Sequence, residues 1–119
     1  MLNVDTHILL YTLLGELTPR EARIVKRESL GISAIVVWEI AKLRQKGRIT
    51  LSLEDPGLAE LLRQIHVWPL TREVCLKLTD LDFQSDPADE LIAATSLAYG
   101  VKLLTRDNRI RTSRKVPLA

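Results

Sequence analysis

The 119-residue sequence predicts a single three-layer α/β/α domain over residues 1–119, with helices on both faces of a central parallel sheet. Two observations favour this fold class. Short apolar segments alternate with longer helical patterns along the chain, an alternation that is typical of parallel sheets. In addition, no internal repeat or low-complexity linker divides the sequence. The length is sufficient for one sizeable hydrophobic core.

The first half of the chain predicts two strands and three helices. Thr6 is the expected cap of the first helix, which ends at Gly15. Thr18 opens the second helix in the manner of a capping box, with Pro19 at the first helical position and Glu21 three residues after the cap. In chain order we expect a strand LNV (2–4), a helix HILLYTLLG (7–15), a helix PREARIVKRES (19–29), a strand GISA (31–34) and a helix AIVVWEIAKLRQKG (34–47).

The second half continues the alternation. Asp86 stands at the expected cap of its longest helix, Pro87 at the first helical position and Gly100 at the end. The final segment contains a proline that an edge strand tolerates. In chain order we expect a helix LEDPGLAELLRQI (53–65), a strand HVWPL (66–70), a helix TREVCLKLTDL (71–81), a helix SDPADELIAATSLAYG (85–100), a strand VKLLT (101–105), a helical turn RDNRI (106–110) and an edge strand KVPLA (115–119).

Composition excludes several function classes. Hydrophobic residues make up 46% of the chain, too many for a wholly disordered protein, and no apolar run approaches the ~20 residues that cross a membrane. The start lacks the pattern of a signal peptide, and the lone Cys75 cannot form an internal disulfide, so a cytoplasmic location is the default expectation. A net charge of +2 is too small to indicate nucleic-acid binding by itself.

Acidic residues follow the predicted strands in a pattern that suggests a metal site. Asp5 ends the first strand, and Asp107 comes just after the fourth. Glu39 interrupts the apolar helix after the second strand, a helix we expect to be buried nearly all round, and Asp89 lies in the first turn of the sixth helix. Because parallel strands have their carboxyl ends at one edge, these acids should meet there, with Asp86 beside them. Clustered carboxylates suit Mg²⁺ or Mn²⁺.

Each acid also has an ordinary structural explanation. Asp5 and Asp86 are candidate helix caps, and Asp89 is a candidate capping-box acid. Glu39 is placed to pair with Lys42, three residues further along its helix, and Asp107 suits turn chemistry. We therefore keep both explanations open for each residue, although the metal site accounts for all of them at once. Trp38, on the same helix as Glu39, is expected in the core rather than as a platform for a nucleic-acid base.

Three segments together resemble the PIN-domain family, and within it the VapC-like toxins of type II toxin–antitoxin systems. They are LNVDTHILL, ISAIVVWEIAKLRQKGRI and DPADELIAATSLAYGVKLLTRDNRI, in the order that the family has them. The resemblance implies a PIN-like fold and Mg²⁺- or Mn²⁺-dependent endoribonuclease activity, a hydrolysis of RNA phosphodiester bonds. It implies that Asp5, Glu39, Asp89 and Asp107 are the catalytic and metal-binding residues. Asp86, Thr6 and Thr105 would support them from just outside the metal.

The resemblance also implies partners. These are RNA, a cognate antitoxin that blocks the site, and a second copy of the chain in a homodimer. Basic residues after the fourth strand are candidates for contact with RNA phosphates: Arg106, Arg109 and Arg111. A second basic set on and after the Glu39 helix either grips RNA or forms a solvated surface: Lys42, Arg44, Lys46 and Arg48. The helix at 7–14 and the helix around 35–43 are candidates for the partner surfaces, with core packing as the alternative.

Other function classes fit less well. The histidines His7 and His66 are not placed as a catalytic pair, and no phosphate-binding glycine motif is present. A dehalogenase-type phosphatase would need a second Asp at position 7, which is His, and a receiver domain would need an Asp at the end of the third strand, where Leu70 stands. The alternative that remains is a catalytically inactive RNA-binding or scaffold module on the PIN fold.

Overall fold

A central sheet of four parallel strands organises the computed structural model, which describes residues 1–119. The strand order is β3-β2-β1-β4, and helices cover the sheet, as the alternation of the sequence predicts. The strands are β1 (Leu2–Val4), β2 (Leu30–Ser33), β3 (His66–Trp68) and β4 (Lys102–Leu104). Since the chain runs from β1 outward to β3 and returns to the other side of β1 for β4, the direction of winding reverses between β1 and β4. Ligand sites of open α/β sheets form at such a point.

Seven α-helices and one 3₁₀ helix surround the sheet. They are α1 (Thr6–Leu14), α2 (Pro19–Arg27), α3 (Ala34–Gln45), α4 (Pro56–Gln64), α5 (Arg72–Leu76), the 3₁₀ helix (Lys77–Asp80), α6 (Pro87–Tyr99) and α7 (Asn108–Arg111). The helix expected over 71–81 is therefore divided into α5 and the 3₁₀ helix. At the division, the hydroxyl of Thr79 donates to the carbonyl of Leu76 at 3.1 Å, the kind of local bond that competes with a regular helix. None of these helices combines the length and hydrophobicity that a membrane crossing requires.

The ends of several helices and strands can be compared with the capping and edge-strand predictions. The capping box of α2 forms as expected: the Glu21 amide donates to the Thr18 hydroxyl at 3.2 Å and the Thr18 amide to the Glu21 carboxylate at 2.8 Å. Gly15 ends α1 with a φ of 71°. The edge strand expected over 115–119 is reduced to a single parallel bridge between Leu103 and Leu118.

The cap of α1 differs from the prediction. Asp5, not Thr6, precedes the helix in extended conformation, and its carboxylate accepts from the Ile8 amide at 2.9 Å. Thr6 is the first helical residue, and its hydroxyl donates instead to the carboxylate of Glu39. A carboxylate is a strong N-cap acceptor, so Asp5 takes the role and leaves Thr6 free to face α3.

The core packs against β1, one of the two central strands of the sheet. Leu2 and Val4 are fully buried, and Asn3 between them is buried too. The Asn3 amide donates at 3.0 Å to the Ile92 carbonyl and at 3.0 Å to the Ser96 hydroxyl, which attaches α6 to the sheet. The small residues of α6 permit this close approach, as Ala93 and Ala94 are completely buried.

Helix α3 is less buried than its sequence suggests. Only Val36 and Ile40 are buried on it, and the Trp38 side chain is 52% exposed. The expectation of a core Trp38 is therefore wrong. The reason is geometric, since α3 packs on the sheet through one stripe, and its opposite face, with exposed positions 38, 41 and 45, lies in solvent.

Candidate functional site

The acids singled out by the sequence lie around the carboxyl edge of the sheet, next to the reversal between β1 and β4. Asp5 directly follows β1, and its amide donates to the Leu104 carbonyl at the end of β4 at 3.4 Å. Thr105 is the next residue on that strand's path and is fully buried. The parallel pairing of Val4 with Leu104 therefore brings positions 5 and 105 side by side.

Asp5 and Asp107 are joined through Thr105. The Thr105 hydroxyl donates to the carboxylate of Asp5 and accepts the amide of Asp107 at 3.0 Å. Asp107 in turn caps α7, because its carboxylate accepts from the amides of Arg109 at 2.9 Å and Ile110 at 3.2 Å. The turn explanation for Asp107 and the cap explanation for Asp5 are thus both correct, and neither moves these acids away from the edge.

Burial makes Asp5 the most constrained of the acids. Its side chain lies among buried residues, and this burial raises its pKa above the ordinary value. The hydrogen bonds from Thr105 and from the Ile8 amide lower the pKa and partly offset the burial, while the negative charge of Glu39 raises it. A nearby positive charge would stabilise the ionised form of this carboxylate.

Glu39 reaches the same edge from α3. Its carboxylate accepts the hydroxyl of Thr6, the residue next to Asp5. The alternative pairing with Lys42 is not formed, since the Lys42 ammonium donates to Gln45 at 2.8 Å. Glu39 is half-buried and lies on the wall of a surface groove.

Asp89 approaches from the first turn of α6. The hydroxyl of Ser85 donates to its carboxylate at 3.1 Å, and the start of α6 has no side-chain cap bond, so the capping-box arrangement considered for Asp89 is not formed. Partial burial is the main cause that raises the pKa of Asp89 to about 6, against the lowering effect of Ser85. Three neighbouring carboxylates raise the pKa further, and they belong to Glu39, Asp107 and Asp86.

Asp86 precedes α6 but does not cap it with its side chain. No helix amide donates to its carboxylate, so the expected capping role is not taken. Asp86 is exposed and lies on the wall of the same groove as Glu39. It therefore adds negative charge at this edge without a hydrogen-bond partner of its own.

The acids are neighbours, but they do not form a ready ligand group. The structure contains no group of three or more His, Cys, Asp and Glu side chains placed to hold a metal ion together. The local donors explain this: Ile8 and Thr105 hold Asp5, Thr6 holds Glu39, and the α7 amides hold Asp107. The donor chemistry nevertheless fits a hard divalent ion, because all donors are oxygens and burial and mutual repulsion raise the pKa of two of the acids.

The basic residues after β4 differ in their surroundings. Arg106 is held by a structural contact: its guanidinium donates to the Glu21 carboxylate at 2.7 and 2.8 Å and lies 4.2 Å from the centre of the Tyr11 ring. The Arg111 guanidinium donates to the Thr105 carbonyl at 3.2 Å, and Arg109 is exposed at the same end of the sheet. Of the three, Arg109 and Arg111 are the more available for a ligand.

Sequence reasoning missed three features of this region. Ser85 was given no role, although a hydroxyl four residues before Asp89 is placed to meet it. The buried Glu21, 6% exposed, was assigned only to its capping box and not to Arg106. The exposure of Trp38 was missed as well. The pattern that would have predicted it is the spacing of four residues from Trp38 to Lys42 and on to Lys46, which places the three side chains on one largely polar face of the helix.

Comparisons with known proteins agree with this architecture. The sequence model of the PIN domain matches residues 3–115. Ribonuclease VapC22 from Mycobacterium tuberculosis is 34% identical over 91 residues, which are 73% of this chain and 69% of that protein.

Two solved structures share the fold at lower identity. VapBC2 from Rickettsia felis, bound to a DNA fragment from its promoter, aligns with a TM-score of 0.72 and 17% identity, covering 100% of this chain and 98% of that one. FitAcB from Neisseria gonorrhoeae aligns with a TM-score of 0.68 and 21% identity, covering 99% and 96%. At these identities the likeness concerns the fold.

Proposed function

Because the chain belongs to the PIN-domain family and is VapC-like, we propose that it is an endoribonuclease toxin of a toxin–antitoxin system that hydrolyses RNA with a divalent metal ion. The name of its relative from Mycobacterium tuberculosis, a ribonuclease, supports the RNA substrate. The metal dependence rests on the acids at the carboxyl edge of the sheet. Mg²⁺ and Mn²⁺ are the ions that such oxygen donors suit.

One observation supports the proposal most strongly: two threonines link acids from three distant segments at one edge, and a fourth acid interacts with them electrostatically. Thr105 connects Asp5 to the backbone of Asp107, and Thr6 connects the neighbourhood of Asp5 to Glu39. Asp89 interacts electrostatically with Glu39 and Asp107. Structural needs alone would not gather carboxylates that raise the pKa of Asp5 and Asp89, because such repulsion destabilises the fold.

The residues at this edge would have distinct roles in the reaction. A bound divalent ion would lower the pKa of a coordinated water and offset charge on the phosphate. Asp5, Glu39, Asp89 and Asp107 would hold that ion, after turning from their local donors. Thr6 and Thr105 would orient Glu39 and Asp5, and Asp86 would add negative charge beside them. The proposal requires no protein nucleophile.

The remaining groups concern substrate and partners. We assign phosphate contacts to Arg109 and Arg111, and we keep Arg106 as a candidate that would first have to leave Glu21. VapBC2 and FitAcB share this fold, and by analogy with VapBC toxin–antitoxin systems we propose a cognate antitoxin for this chain. A homodimer is proposed on the same family grounds.

Incubation of the purified chain with total RNA tests the activity. We expect cleavage with Mg²⁺ and none with EDTA, and we expect Asp5→Asn to abolish it. Asp80→Asn is the matched control, since Asp80 is exposed and pairs only with Lys77 at 3.6 Å. Equal cleavage by the wild type and Asp5→Asn would contradict the proposal.

Calorimetry with Mg²⁺ separates the enzyme from an inactive module on the same fold. An active site of this kind should bind the ion, and Asp5→Asn should weaken the binding. A chain that binds RNA but neither binds Mg²⁺ nor cleaves would be the inactive RNA-binding module. The lack of a ready group of three metal ligands is the observation that keeps this second function worth testing.

A further inference from the structure

A groove beside the acids combines an exposed aromatic ring with unpaired cations. Its cavity volume is about 420 Å³, within the ~300–1,000 Å³ typical of ligand pockets. Its lining includes two acids, Glu39 and Asp86, the ring of Trp38, and three cations, Lys42, Lys46 and Arg48. The groove therefore runs from the proposed cleavage site onto a basic surface.

The cations of the groove have no carboxylate partners. None of Lys42, Lys46 and Arg48 belongs to an ion pair, whereas other basic residues do, such as Arg63 with Glu60. Arg44, the fourth member of this basic set, is different, because its guanidinium donates to the carbonyl of Thr50. The set that sequence alone leaves undivided thus separates into Arg44, which is bonded to the backbone, and three residues that line the groove, of which Lys42 also donates to Gln45 at 2.8 Å.

Trp38 is the second element of the argument. Its side chain is 52% exposed, although a large aromatic ring on an otherwise apolar helix is expected to be buried. Trp38, Lys42 and Lys46 follow one another at intervals of four residues, so they form one stripe of about 12 Å along α3. A stacked strand rises ~3.4 Å per nucleotide, so the stripe spans about three nucleotides.

We infer that this groove binds the single-stranded RNA next to the cleaved bond, with one base stacked on Trp38 and the flanking phosphates on Lys46 and Arg48. The inference rests on the proposed function and adds to it the residues that hold the substrate. Aromatic stacking tolerates any base, so this contact would position RNA without selecting its sequence. Charge complementarity favours RNA as the occupant, since the three unpaired cations attract phosphates.

Binding of a short fluorescent single-stranded oligoribonucleotide in EDTA tests the inference without cleavage. Trp38→Ala should weaken affinity about 5- to 150-fold, the effect of losing one stacked base, and Trp38→Phe should retain most of it. An oligonucleotide with abasic positions removes the stacking partner, so on that probe the wild type and Trp38→Ala should bind equally. Equal losses on both probes would overturn the stacking contact.

The phosphate contacts are tested by salt dependence. In the double variant K46A/R48A, the slope of log affinity against log salt should decrease in magnitude by about 1.4, since each phosphate contact to a single strand contributes ~0.7. The control K26A/R27A removes the same charge from the exposed end of α2 and should leave the slope unchanged.

The outcomes distinguish this inference from the proposed function. Weakened binding in the groove variants supports the groove even if the chain cleaves no RNA. Normal cleavage with unchanged oligonucleotide affinity in Trp38→Ala and K46A/R48A would overturn the groove and leave the nuclease intact. In that case the surface would suit a polypeptide, and the same variants would lose a co-expressed antitoxin.

Discussion

The hydroxyl of Thr105 donates to the carboxylate of Asp5, although the two residues are 100 positions apart in the sequence. The same hydroxyl accepts the amide of Asp107 at 3.0 Å. One side chain therefore fixes two of the proposed metal-binding acids relative to each other. This bond depends on the parallel pairing of β1 with β4, so the fold itself determines the spacing at the site.

Replacement of Thr105 tests this dependence. Thr105→Val removes the only side-chain donor to a buried carboxylate, so the pKa of Asp5 should rise further and the fold should lose about 1–3 kcal/mol. Because a metal ion requires the ionised acid, Mg²⁺ binding should shift to higher pH. Thr105→Ser keeps the hydroxyl and should behave like the wild type. Identical pH profiles for the Val and Ser variants, measured by calorimetry, would argue against the role.

The acid with a pKa of about 6 predicts a pH dependence of stability. Asp89 binds its proton more tightly in the folded chain than in the unfolded one, whose pKa is near 3.8. Stability without metal should therefore fall as pH rises from about 4 to about 6. Asp89→Asn should remove this slope and stabilise the chain at pH 7 by about 1 kcal/mol, after allowance for solvent screening.

Thermal melting measures that change, and a second variant controls for it. A gain of about 1 kcal/mol corresponds to a Tm increase of about 4 °C. Asp82→Asn should act in the opposite direction, because Ser113 and the Arg114 amide hold the pKa of Asp82 below its ordinary value. If both variants lower Tm at pH 7, burial and repulsion do not destabilise the ionised Asp89 in the folded chain.

The contact of Glu21 with Arg106 should contribute to the free energy of unfolding with a pH dependence opposite to that of Asp89. The hydrogen bond from Arg106 is the main cause that lowers the pKa of Glu21 to about 2. The stabilisation is therefore complete above pH 4.5 and is lost as pH falls toward 2. Glu21→Gln keeps the capping box but not the charge, so we expect a loss of about 1–2 kcal/mol at neutral pH that disappears near pH 2.

Urea unfolding at neutral and acid pH measures the contribution of Glu21 to the free energy of unfolding. Arg106→Lys is the matched variant on the partner, because Lys keeps the charge but cannot form the two-pronged contact with a carboxylate. It should lose part of the same stability at neutral pH. A Glu21→Gln effect that persists unchanged at low pH would show that the ion pair is not its source.

The close approach of the Trp68 ring to Gly31 leaves no space for a larger side chain at this position of the sheet. A Cβ at this position would lie 2.6 Å from two atoms of the Trp68 ring, which is 6% exposed and stacks on Tyr99 at 5.8 Å. Gly31→Ala should therefore cost about 1–3 kcal/mol through displacement of the ring. In the double variant with Trp68→Leu the two effects should be less than additive, and simple additivity in urea unfolding would contradict the contact.

Much of the fold could be predicted because its signals are local. Apolar strands, caps and terminal glycines define the alternation, and parallel strands then bring Asp5 and Asp107 to one edge. The exceptions are decided by tertiary contacts. Asp5 rather than Thr6 caps α1, which leaves the Thr6 hydroxyl to contact Glu39, and the expected terminal edge strand shrinks to the bridge at Leu118.

The side-chain contacts of the site could not be predicted from the sequence, because they also depend on tertiary structure. The spacing of four residues permits the contact of Ser85 with Asp89, but it does not by itself distinguish that contact from a bond to a helix amide. The exposure of Trp38 depends on which stripe of α3 meets the sheet. The pairing of Arg106 with Glu21 joins residues 85 positions apart, so no spacing rule predicts it. The assignment of catalytic and RNA-binding residues remains a prediction.

The most direct test of the account is the anomalous scattering of Mn²⁺ in crystals of the chain. The account predicts a peak at the carboxyl edge of the sheet, ~2.0–2.3 Å from carboxylate oxygens of Asp5 and at least one of Glu39, Asp89 and Asp107, and no such peak in Asp5→Asn. A wild-type crystal soaked in Mn²⁺ with no ion at this edge, or with one held only by residues elsewhere, would contradict it.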